Sequence, residues 1–104
     1  MGKVVVIFEF AGMTHKDYDA ICDDLQSRGM LYTEKRPSHV SFERDGKWSV
    51  VDVWNSAEDV QEFAEKGLMP AFQKLGLNPP QPTILPAYRW MGVEEEVEEE
   101  VTSA

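Results

Sequence analysis

The chain has 104 residues, 42% of them hydrophobic, which suits one small domain and leaves little room for a second. Its formal net charge of −9 is unevenly spread: Glu94, Glu95, Glu96, Glu98, Glu99 and Glu100 supply six of the nineteen acids, and residues 1–92 carry a net of only −3. No cluster of Lys or Arg builds a basic face, which argues against a nucleic-acid partner, and no apolar run approaches membrane-spanning length. Val4–Phe8 is too short for the apolar part of a secretory signal, and Glu9 interrupts it. Cys22 is the sole cysteine, so an internal disulfide is impossible and a reducing, cytoplasmic setting is expected.

Lys3–Phe10 is rich in β-branched and aromatic residues, as a central strand should be. Gly12 breaks it, and Thr14 with Asp17 forms a capping-box signature for a helix running to about Arg28. Tyr18, Ile21, Cys22 and Leu25 make the apolar stripe of that helix, and Gly29 is its stop. After a loop ending at Pro37-Ser38, His39–Arg44 alternates as a strand, and Asp45-Gly46 signals a hairpin into Lys47–Asn55. Ser56 opens a second helix with the stripe Val60, Phe63, Ala64, Gly67, Leu68, Ala71, Phe72 and Leu75. Pro70 lies inside this stripe and predicts either a kink near Gly67–Pro70 or two shorter helices. Gly76 ends it, and a proline-rich linker leads to a last strand, about Thr83–Trp90, which Pro86 confines to an edge or a bulge. Residues 93–104 read as an acidic, disordered tail beyond a single domain at 1–92.

The order β-α-β-β-α-β argues an α+β, ferredoxin-like sandwich: a four-stranded antiparallel sheet with two helices on one face. Its open face would carry Val5, Ile7, Val50, Trp48 and Trp54, or an equally apolar set. Such a patch is rarely left open to water, and the symmetric solution is a homodimer paired sheet to sheet.

Ile7-Phe8-Glu9-Phe10 with Gly12-Met13-Thr14, His39-Val40 before the hairpin, and Trp48–Ser56 after it resemble the dimeric α/β-barrel superfamily. The kinked helix with Phe63, Leu68, Pro70, Ala71 and Phe72 extends the resemblance across residues 3–90. It is closest to the small bacterial proteins grouped with antibiotic-biosynthesis monooxygenases. The superfamily includes oxygenases, haem-degrading enzymes, isomerases and decyclases, so the resemblance implies a fold more than a reaction. Haem-degrading members use an asparagine on the first strand and a tryptophan and a histidine on the second helix. Here those positions fall at Glu9 and near Glu62 and Gln73, which disfavours haem, and no cofactor is expected.

Three residues are candidates for acid/base chemistry. His39 leads a strand and has an unperturbed pKa near neutrality, so it could be a general base or simply a hydrogen-bonded strand-end histidine. Glu9 and Asp52 are carboxylates on strands that otherwise read as buried, and either could line a pocket with His39 or pair with Arg44, Arg89 or a partner chain. Trp48, Trp54 and Tyr88 could stack on a flat ligand or belong to core and interface. Two histidines 24 positions apart with one cysteine make no metal set. Three functions fit these residues: binding of a small apolar or aromatic molecule between sheet and helices, cofactor-independent oxygenation or isomerisation of an aromatic or polyketide-like substrate, and a purely structural dimerisation module.

Overall fold

The computed structural model describes residues 2–92, and the expected acidic tail lies outside the described residues. Strand β1 is Val4–Ala11, helix α1 His15–Ser27, β2 Ser38–Arg44, β3 Lys47–Trp54, α2 Ala57–Phe63, α3 Met69–Leu75 and β4 Thr83–Pro86. The sheet order is β2-β3-β1-β4 with every neighbouring pair antiparallel, which is the ferredoxin-like arrangement.

Local signals account for most boundaries. Thr14 accepts from the Asp17 backbone N–H while the Asp17 side chain accepts from the Thr14 N–H, closing the capping box on α1. At the other end Gly29 adopts φ +74 and the Met30 N–H returns to the Leu25 carbonyl at 2.8 Å, a Schellman-type stop. The β2–β3 turn is tight, with Asp45 at φ 52 and Gly46 at φ 76, as a two-residue type I′ hairpin requires.

The second helical segment is one rod interrupted by a π turn over Ala64–Leu68. Pro70 has no N–H to give the Lys66 carbonyl, so the ladder is broken there and the helix widens. Arg28 from the end of α1 supplies a donor in its place, its Nη1 reaching the Lys66 carbonyl at 3.0 Å, and its Nη2 also donates to the Gly67 carbonyl at 2.9 Å. Gly67 also allows the close approach of α1, because a Cβ there would sit 3.1 Å from Met30 Cε and 3.2 Å from Leu25 Cδ2. Asp24 completes the clamp, accepting from Arg28 at 2.6 Å and from Lys74 of α3 at 3.1 Å.

The helices cover one sheet face, where Val6, Phe8, Val50 and Trp54 meet Ile21, Leu25, Val60, Phe63, Ala71 and Phe72 in one core. Two expectations need correction. The register pairs Val4 with Trp54, Phe8 with Val50 and Phe10 with Trp48, and cross-strand partners share a face. Trp48, Val50 and Trp54 therefore lie under the helices, and the open face instead carries Val5, Ile7, Val40, Phe42, Val51, Val53 and Leu85. That set is equally apolar, and Val40, Phe42 and Leu85 are exposed. The last strand stops at Pro86 rather than Trp90, since proline offers the ladder no donor; only the Ala87 N–H continues, to the Lys3 carbonyl. β4 is an edge strand, as Pro86 demands.

Candidate functional site

The hairpin register makes His39 of β2 and Asp52 of β3 direct cross-strand partners on the helix-covered face. Their side chains meet at 2.5 Å, His39 Nδ1 to Asp52 Oδ1. The second carboxylate oxygen accepts from the indole N–H of Trp54 at 3.2 Å. Asp52 is nearly fully buried, and these two donors serve both its oxygens. With Nδ1–H committed to the carboxylate, the Nε2 lone pair of His39 faces the hydroxyl of Tyr18 on α1, 2.6 Å away. The Tyr18 and His39 rings lie nearly coplanar, with an interplanar angle of 7°, and Trp48 packs against Tyr18 with ring centroids 5.5 Å apart. Burial, above all, pushes the Tyr18 hydroxyl above its ordinary value of 10.0, which keeps it a phenol at neutral pH and a donor to His39. Burial likewise raises the Cys22 thiol one turn along α1.

This chain of groups borders a cavity of about 720 Å3 between the sheet and α1. Phe8, Phe10, Ile21, Leu25, Phe63 and Phe72 give it an apolar lining, while Tyr18, His39, Asp52 and Arg36 are its main polar groups. The segment from Leu31 to Ser38 forms one wall, and the exposed Tyr32 marks the mouth. Arg36 is held in place by a 2.6 Å bond to the Leu31 carbonyl and lies over the rings of Trp54 and Phe63, at 5.6 and 5.5 Å. A cavity of this size with a few convergent polar groups has the proportions of a small-molecule site.

The sequence-nominated residues separate cleanly in space. His39 and Asp52 come together. Glu9 does not join them: it is exposed, pairs in register with Ser49 and points to the open face. Asp52 is partnered by His39 and Trp54 rather than by Arg44 or Arg89. Trp54 sits beneath Asp52 in the core, and Trp48 packs on Tyr18; neither lines the cavity. Tyr88 is 94% exposed beyond β4 and away from the cavity lining. Sequence reasoning placed Tyr18 on the apolar stripe of α1 and did not single out Arg36. A tyrosine on an otherwise aliphatic stripe does carry a signal, because its hydroxyl needs a partner when the ring is buried. Among the described residues no group of three or more His, Cys, Asp and Glu side chains could hold a metal ion.

No protein-family model matches the sequence, and no curated protein does. Solved structures do match. Rv0793 from Mycobacterium tuberculosis superposes with a TM-score of 0.64 at 15% identity, over 88% of this chain and 100% of that one. A candidate antibiotic biosynthesis monooxygenase from Caulobacter crescentus gives 0.63 at 12% identity, over 85% and 92%. The chain has their fold. SnoaB, a cofactor-independent oxygenase from Streptomyces nogalater, follows at 0.58 and 13% identity, over 91% of this chain and all of that one. The ferredoxin-like architecture of the antibiotic-biosynthesis-monooxygenase-like proteins, expected from the strand and hairpin residues, is thus the one observed. No helix among the described residues is long and apolar enough to cross a membrane.

Proposed function

We propose that the chain binds a small, flat, mainly apolar molecule in the cavity beneath α1, and that Tyr18, His39 and Asp52 take a proton from it. The observation that carries this reading is the unbroken line of hydrogen bonds from Tyr18 Oη through both imidazole nitrogens to Asp52. An acidic O–H or C–H of the ligand passes its proton to Tyr18 Oη as the tyrosine's own proton moves to His39 Nε2. The ligand is left as an anion and the histidine as an imidazolium, which Asp52 stabilises at Nδ1 while Trp54 steadies the carboxylate. Because Tyr18 is reluctant to ionise, the two transfers are concerted rather than stepwise through a tyrosinate. Absorbance titration of a bound nitronaphthol tests this. It should ionise at a lower pH on the protein than in water, and His39→Ala should abolish that difference; a probe that binds equally well but ionises as in water would remove the proton-transfer reading.

The fold shared with SnoaB favours a second step in which dioxygen oxidises the electron-rich anion without a cofactor. One oxygen atom becomes a new carbonyl and the other leaves as water with two substrate hydrogens. An oxygen electrode with a hydroxy-aromatic substrate distinguishes this from binding or isomerisation. The apolar open face supports a homodimer, and the single half-buried thiol of Cys22 supports a reducing, cytoplasmic setting.

A further inference from the structure

We propose that the ligand of this cavity is an aromatic acid, its carboxylate held by the guanidinium of Arg36 while its hydroxyl meets Tyr18. The inference rests on the cavity reading above and adds the charge and functional groups of what fills it.

Four charge-bearing side chains border the cavity: Glu34, Arg36, His39 and Asp52. Asp52 is spent on His39 and Trp54, and Glu34 is exposed at the rim. Arg36 is different. Among the described residues no carboxylate lies within ion-pair distance of it, and its one protein acceptor is the neutral Leu31 carbonyl. The flanking rings of Trp54 and Phe63 hold the guanidinium plane but accept none of its in-plane N–H bonds. A guanidinium carries five donors in a rigid fork, and a half-buried one with most of that fork unused suits a planar, two-oxygen anion. Burial dominates at Tyr18 and Cys22 and raises both, but the positive charge of Arg36 is near enough to act on each in the opposite direction. The same field would stabilise the anion that proton transfer to His39 leaves behind. Apolar walls then select the ring, Arg36 the acid and Tyr18 the hydroxyl.

The test compares 1-hydroxy-2-naphthoate with 1-naphthol, the ring and hydroxyl without the acid, by calorimetry on the wild-type chain and on Arg36→Met and Arg36→Lys. The naphthoate should bind at least tenfold more tightly than naphthol to the wild type. Arg36→Met should erase that preference while leaving naphthol within about twofold, and Arg36→Lys should retain part of it. Equal wild-type affinities, or a loss of both probes alike in a folded Arg36→Met, overturns the aromatic-acid proposal and leaves the cavity reading standing. Failure of both probes to bind overturns the cavity reading and the aromatic-acid proposal together. The wild-type comparison needs no variant, so a misfolded substitution does not rescue the idea.

Discussion

His39 and Asp52 are thirteen residues apart in sequence and directly opposite in the sheet, joined by an imidazole–carboxylate bond of 2.5 Å. The turn at Asp45-Gly46 decides this. Its two left-handed residues set the pairing of β2 with β3, and a slip of one residue would carry His39 to the open face, away from Tyr18. A surface turn thus sets His39 between Asp52 and Tyr18.

Replacing Asp52 by Asn keeps the side chain's volume but removes the charge that stabilises an imidazolium. Asp52→Asn and His39→Ala should each slow proton transfer from a bound hydroxy-aromatic by about 10²–10⁴-fold, read by stopped-flow absorbance. Transfer at the wild-type rate in either folded variant would exclude the relay.

Tyr18→Phe removes the hydroxyl between cavity and histidine. The late-ionising component of the phenolate absorbance should vanish in this variant, since burial raises the Tyr18 value. A group whose folded-state value is raised stabilises the fold below its unfolded value of 10.0 and loses that contribution as pH climbs through the folded one. Wild type should therefore destabilise more steeply than Tyr18→Phe in melts above pH 10; parallel curves would contradict the assignment.

Arg28→Met should cost about 2 kcal/mol, because it strips the donors from the Lys66 and Gly67 carbonyls and leaves Asp24 with Lys74 alone. In a domain of this size that is a drop in Tm of roughly 10 °C. Pro70→Ala should soften the loss in the double variant, since a backbone N–H is restored for Lys66. An Arg28→Met chain that melts with the wild type would show the π turn to be self-sufficient.

Hydrogen bonds from Arg28 and then Lys74 hold the Asp24 carboxyl below its ordinary value of 3.8. A depressed carboxyl stabilises the fold above its unfolded value and loses that contribution as pH falls through the folded one. Asp24→Asn should be the less stable protein at pH 7, with the gap closing below about pH 4. Melts at a series of pH values check the sign: a gap independent of pH would place the effect in packing rather than charge.

Phe42 and Val40 stand exposed on the apolar sheet face. Phe42→Glu should convert a sedimenting dimer to monomer while leaving far-UV circular dichroism unchanged. A wild-type chain already monomeric at micromolar concentration would end the dimer proposal.

The periodic and punctuating residues made most of the fold readable. Thr14-Asp17, Asp45-Gly46, Gly76 and Pro70 act within a few residues of themselves, so their caps, turns and helix break follow from local chemistry. Even the choice between a kink and two helices resolves along those lines, as a π turn ahead of Pro70. Asp52 could be suspected from sequence because a carboxylate amid Val50, Val51, Val53 and Trp54 demands a partner. His39 was visible as a titratable strand residue but not its bond, which depends on register.

What sequence left open involves distances across the chain. Which faces of β1 and β3 coincide depends on their register, and that moved Trp48 and Trp54 from the expected open surface to the covered one. Tyr18 became part of the site, and Glu9 and Tyr88 fell away from it, only when α1 was laid over β2. Local patterning determined the elements, their order and the apolar character of both sheet faces. Tertiary packing alone decided which polar groups share the cavity, because a hydrogen bond between residues 21 positions apart leaves no trace in the spacing of either.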